Sequence, residues 1–227
     1  MNIDSLKDLA PTLVGDYTCE DTPEVIFKKY YTNIENCKQY MGLGNKYFFG
    51  HLHDSHILSC RINEGNLDLK LNEFATLQFA CALVDKMKLK INMRKIIFPL
   101  EIISENTKHL SLNIVDKKGK IYENNFVELN QYICEEIIEW TENNVKIAFN
   151  LWSDKVKYKF GDYVNCRNYL LLLSCDKLTI NEKQHENWNK YFGNKYDKYY
   201  NLFLEERKKD KYLSDYSQCE KFIEEIM

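Results

Sequence analysis

The sequence predicts an α+β fold, an antiparallel, hairpin-rich sheet with an N-terminal helix and C-terminal helices. Three observations carry this reading. Short alternating apolar and polar runs recur between about residues 45 and 180 around Gly- and Asn-containing turns, a capped amphipathic segment precedes them, and residues from about 181 onward return to helical spacing. No internal repeat, low-complexity tract or interdomain linker interrupts the chain. Residues 1–227 therefore read as a single α+β domain, with a β-rich core over about 45–180 and a helical layer over about 181–227.

The first helix is expected from about Pro23 to Met41. Thr22 offers a hydroxyl cap, Pro23 suits the first helical position and Glu24 complements the positive end of the helix dipole. Val25, Ile26, Tyr30, Ile34 and Cys37 form its apolar face, and Gly42 with Gly44 supplies the stop. Ile57–Ile62 and Leu67–Leu71 alternate around Asn63-Glu64-Gly65-Asn66, which makes a hairpin. Residues 74–84 fit two patterns. Ala75, Leu77, Phe79, Cys81 and Leu83 alternate as in a strand, whereas Phe74, Leu77, Cys81 and Val84 fit a helical face. A third strand is the expectation, because the hairpin before it needs a sheet, although the alanines keep a helix open.

Strands are expected at 95–103, 110–115 and 120–126, the last two joined across Asp116-Lys117-Lys118-Gly119. From Glu128 to Trp140 the spacing of Leu129, Tyr132, Ile133, Glu136, Ile137 and Trp140 is helical, and 145–152 and 169–174 again have strand composition. Thr179–Phe192 reads as a helix stopped at Gly193-Asn194, followed by a second carrying Tyr196, Tyr199, Tyr200 and Phe203. Ser214 is the expected cap of a last helix ending at Ile226.

Composition narrows the function classes. The formal charge of −3 gives no electrostatic case for nucleic acid or an anionic membrane surface, and only four arginines are present among the cations. The N-terminus lacks the basic start and apolar core of a signal peptide, and no apolar run approaches the ~18 residues of a membrane span. A cytoplasmic protein is expected. Eight scattered cysteines without a Cys-x-x-Cys pair read as reduced, mostly buried side chains. The abundance of Lys, Asn, Ile and Tyr suits a low-GC bacterial, viral or protozoan genome.

Chemistry concentrates in one hexapeptide. His51-Leu52-His53-Asp54-Ser55-His56 holds three of the five histidines, a carboxylate and a hydroxyl. Imidazole ligates zinc and similar divalent transition metals, and on an extended segment His51 and His53 point to one face while His56 needs a turn to join them. Asp54 could ligate, orient an imidazole or act as a general base in a metal-dependent hydrolase. The competing role is local: Asp54 and Ser55 can bond nearby backbone amides at a strand entry, with His53 fixing the turn. Cys60 is the nearest thiol, but an alternating strand separates it from His56, and packing is its expected role.

The string differs from the metallo-β-lactamase pattern, since Ser55 stands where that family has its acid, and from the HD phosphohydrolases, whose pair lies on a helix. Leu52-His53-Asp54-Ser55-His56-Ile57-Leu58, with Gly65-Asn66-Leu67-Asp68-Leu69 after it, resembles the Leu-His-Asp-Ser opening of a β-hairpin domain in uncharacterised bacterial proteins, some grouped with toxin-immunity proteins. The likeness covers about residues 50–85 and implies a β-rich scaffold without a catalytic role.

In the last quarter, Trp188, Phe192, Tyr196, Tyr199 and Phe203 form an aromatic stripe among lysines. Glu182, Glu186, Asp197, Glu205, Glu206 and Asp210 offset those lysines, so the stripe suits a helix pair docked on the sheet better than a strand of nucleic acid. Trp188, Tyr196, Tyr199 and Tyr200 remain candidates for contact with a protein partner, because aromatic rings are favoured at interfaces. The functional expectation is a non-enzymatic, cytoplasmic protein-binding module of immunity type, with no cofactor. The alternative is a hydrolase whose zinc or similar ion is held by His51, His53 and His56.

Overall fold

A computed structural model of the chain describes residues 23–41, 52–115, 121–124, 131–153, 168–182, 184–209, 213 and 215–227. Helix α1 (Pro23–Lys38) is followed by the hairpin β1 (His56–Asn63) and β2 (Asn66–Asn72), then helix α2 (Phe74–Met87). Strands β3 (Pro99–Val115), β4 (Ile121–Asn124), β5 (Gln131–Thr141), β6 (Asn144–Ser153) and β7 (Asn168–Glu182) come next. Helices α3 (Gln184–Phe192), α4 (Asp197–Lys208) and α5 (Tyr216–Ile226) end the chain. The α+β class is as expected, and no helix among the described residues is long and apolar enough to cross a membrane.

The seven strands run β2-β1-β5-β6-β7-β3-β4, and β2 also pairs with β3. That extra pairing closes six of them into an antiparallel barrel. One edge of the long β3 takes β2 over Pro99–Ile103 and β4 over Leu112–Val115, while its other edge carries β7 throughout. The β1–β5 seam is short: His56 pairs with Tyr132, and Asp54 and Ser55 exchange backbone bonds with Ile133. Alternation fills the interior, as in β2, where Leu67, Leu69 and Leu71 are all buried. Cys37 of helix α1 and Met41 just beyond it join this core, and Asn33 Nδ2 donates to the Ile138 carbonyl at 2.6 Å.

The β1–β2 turn is the one expected. Glu64 and Gly65 both have positive φ, 50° and 80°, as a type I′ turn requires. Strand β3 is one continuous element where two shorter runs were expected, and a bulge between Thr107 and His109, next to the left-handed Asn106 (φ 53°), lets it bend. Lys95 falls instead in a short 3₁₀ turn. The expected turn 116–119 lies outside the described residues, although β3 and β4 do pair antiparallel around it.

Two elements differ in type from the expectation. Residues 74–84 form a helix rather than a third strand. Glu73 caps α2, its carboxylate accepting from Thr76 N at 2.8 Å, and Ala75, Phe79, Ala80, Leu83 and Val84 are buried at helical spacing. Residues 131–141 form β5 rather than a helix. A bulge between Ile133 and Glu135 inserts one residue, so the buried positions run Ile133, Glu136, Ile138, Trp140. The opening interval of three imitates a helical face, whereas the content of isoleucine and aromatic residues favours a strand.

The aromatic stripe does not dock on the sheet. It forms a second core with α2: Phe79 stacks on Phe203 at 4.3 Å, and Trp188 on Phe192 at 4.2 Å and Tyr200 at 4.8 Å. Among the described residues this cluster contains no strand residue. The first residues expected in its helix, 179–182, belong to β7.

The two cores meet at the end of β2. Glu73 and Arg207 form an ion pair at 3.2 Å, both buried, and Glu73 N donates to the Phe98 carbonyl. Helix α5 is capped by Asp215, which accepts from Gln218 N at 2.9 Å and Ser217 Oγ at 2.8 Å; Ser214, the expected cap, lies outside the described residues. Those bonds, the Gln218 amide first, hold the Asp215 carboxyl below its ordinary 3.8. Because the folded value is depressed, the stabilisation is present above 3.8 and lost as pH falls through the lower folded value. Asp215→Ala is therefore expected to cost about 1 kcal/mol at pH 7. Urea titrations should show this difference from the parent protein shrinking on acidification below that ordinary value.

Candidate functional site

The histidine cluster folds into a turn. Ser55 N donates to the Leu52 carbonyl at 3.0 Å, with Asp54 in the left-handed region at φ 63°, a conformation aspartate tolerates better than most residues. Asp54 N and the Ser55 carbonyl bond to Ile133 on β5, and Leu52 N reaches the buried Glu136 carboxylate at 3.4 Å. The turn is thus fastened to the β5 bulge. Ser55 Oγ, fully buried, accepts from Phe74 N at 3.2 Å and satisfies one of the amides left open at the start of α2.

Among the described members of the cluster, only His53 and Asp54 come together. His53 Nδ1 and Asp54 Oδ2 lie 3.0 Å apart, with 57% and 38% of their side chains exposed. His56 is half-buried on β1, and His51 lies outside the described residues. No three histidine, cysteine, aspartate or glutamate side chains among the described residues are placed to hold one metal ion. His109 is far along β3, where its ring bonds Ser111 at 3.0 Å, and the side chain of His185 lies outside the described residues. Ser55→Ala, which orphans a helix amide, is expected to cost about 1–3 kcal/mol. His53→Ala should cost less than about 0.5 kcal/mol, as exposed positions do, and urea titration of both variants reads the contrast.

Among the described residues, Cys60 and Cys219 are held as thiols. Burial, aided by Asp68, pushes the Cys60 thiol up to about 11, and burial pushes Cys219 up to about 12. Both stay protonated at neutral pH and are poor nucleophiles.

The four aromatic residues singled out for partner contact are turned mostly inward. Trp188 and Tyr200 are buried in the helical core, Tyr199 is 7% exposed and Tyr196 half-buried. Among the described residues the exposed aromatic ring lies elsewhere, at Tyr40, with 46% of its surface open just beyond the end of α1. Tyr40 lines an open cleft of about 640 Å³ on the barrel. Its other walls are Lys108 on β3, Trp140 with Glu142 and Asn143 at the β5–β6 turn, and Asp176–Thr179 on β7.

Strand pairing puts these segments side by side. Val145, opposite Trp140 across the β5–β6 hairpin, also faces Cys175 on β7, and Glu105 of β3 faces Lys177. The charges are mostly matched: Lys108 pairs with Asp176, and Lys177 Nζ bonds Glu105 Oε1 at 3.1 Å. Glu142 has no cationic partner among the described residues. The cleft can hold a polar or aromatic group of moderate size against two rings, within the ~300–1,000 Å³ usual for binding pockets. Sequence spacing had no means to reveal it, because its walls come from four distant segments. Comparison of the chain with protein-family models, curated proteins and solved structures gave no match.

Proposed function

We propose that this chain is a non-enzymatic, cytoplasmic protein-binding module of the immunity type, acting by occupying a toxin domain, and that its partner docks at the cleft beside Tyr40. The observation that carries this reading is the pairing of an exposed tyrosine with a nearly buried tryptophan in one open cleft rimmed by charges of both signs. Interface hot spots favour such aromatic anchors at their centre with a polar surround. The free cysteines among the described residues suit a reducing compartment. The hydrolase alternative needs the imidazoles of His51, His53 and His56 to meet at one ion; His53 is exposed beside Asp54.

A photo-crosslinking residue placed at position 40 tests the proposal in the source cells. A discrete protein adduct from position 40, absent when the same group replaces the exposed Glu225 on α5, is the expected outcome. No adduct from position 40, or the same adducts from both positions, overturns the docking site.

A further inference from the structure

Among the cleft's charged walls, Glu142 alone lacks an opposite charge among the described residues. Lys108 is neutralised by Asp176, and Lys177 by Glu105 just outside the lining. An incoming anion would have to break one of these pairs, and an apolar group would find Leu178 as the one aliphatic lining side chain while stripping water from Glu142. A cation meets neither difficulty. It finds a carboxylate in a cleft also lined by Tyr40 and Trp140, aromatic side chains of the kind that attract ammonium and guanidinium groups. The end of α1 lies two residues before Tyr40, so the negative pole of that helix is at the same side.

Resting on the docking site proposed above, we infer that the cleft receives a basic side chain of the partner protein, an arginine or lysine, with Glu142 as its counter-charge and Trp140 and Tyr40 as its walls. Arginine fits best, because its planar guanidinium can stack on a ring and bond a carboxylate at once. The volume of about 640 Å³ exceeds the need of one side chain and leaves room for the flanking segment that carries it.

The probe is the capped pentapeptide acetyl-Gly-Gly-Arg-Gly-Gly-amide, compared with the same peptide carrying citrulline or glutamate in place of arginine. The readout is the indole N–H resonance of Trp140, assigned by its loss in Trp140→Phe. A saturable shift with the arginine peptide, its Kd raised at least fivefold both by citrulline and by Glu142→Gln, and no shift with the glutamate peptide, is the expected result. Equal binding of the arginine peptide by Glu142→Gln, or comparable binding of the glutamate peptide, overturns the inference. Glu142 is exposed at a turn, and an unchanged spectrum away from the cleft verifies that the variant folds. A partner crosslinked at position 40 but indifferent to Glu142→Gln overturns the basic side chain alone, whereas the absence of any crosslink overturns the docking reading beneath it.

Discussion

Replacing Arg207 by methionine is expected to destabilise the protein by about 3–5 kcal/mol, the cost of stranding a buried charge. Arg207 and Glu73 leave 2% and 0% of their side chains exposed, and their contact joins α4 to the start of α2. Removing the guanidinium leaves the Glu73 carboxylate with its cap bond to Thr76 N but without a counter-charge. The packing of Arg207 over the Phe203 ring, 5.5 Å from guanidinium carbon to ring centre, goes as well. For a chain of this length the melting temperature should fall by roughly 6–20 °C. The double variant Glu73→Gln, Arg207→Met should recover part of the loss, since the amide keeps an acceptor for Thr76 N without a charge to strand. A single-variant loss under about 1 kcal/mol would show that the pair is hydrated or dispensable.

Phe79→Ala should cost as much, about 3–5 kcal/mol, by leaving a cavity where four helices meet. The Phe79 ring is fully buried, stacked on Phe203 of α4 and Trp188 of α3, and 6.3 Å from Phe222 of α5. Against a typical total of ~5–15 kcal/mol, either change is a large fraction of the stability. Near-ultraviolet circular dichroism should lose the signal of the stacked Trp188 while far-ultraviolet strand signal persists at low denaturant. Retention of the full aromatic signal would mean that the helical core does not depend on this ring.

Phe79 also shows where sequence reasoning failed. It sits in a segment whose apolar residues alternate, and the deciding feature, the Glu73 cap, uses a residue that is not a usual cap and that is made effective by Arg207, over a hundred residues away in the chain. The β5 bulge erred in the opposite direction, giving a strand an interval of three between Ile133 and Glu136. Elements whose signals are local were legible: Pro23 opens α1, Glu64-Gly65 turns the first hairpin and Gly193, with φ 73°, follows the end of α3. Barrel closure was not, because the β2–β3 pairing leaves no mark in either strand's periodicity.

The candidate site divides in the same way. Asp54 and Ser55 do lie in a turn, but Asp54 enters it through its backbone N and its left-handed φ while its carboxylate meets His53, and Ser55 Oγ accepts from Phe74 N rather than from a neighbouring amide. The aromatic residues of the last quarter were recognised as a packing stripe, but their partner is α2, which had been read as strand. Tyr40 drew no notice because a lone tyrosine after a helix is unremarkable until Trp140 and Glu142 are brought beside it.

The docking cleft is tested most directly by the affinity of the partner, once captured through position 40, for the Tyr40→Ala protein. Loss of an aromatic anchor at the centre of an interface is expected to raise Kd at least ~10-fold, about 1.4 kcal/mol or more. Leu202→Ala, an equally exposed apolar change on α4, should leave Kd within about twofold. Equal affinities for the parent protein and Tyr40→Ala, or a larger loss from Leu202→Ala, would contradict a docking site in the cleft.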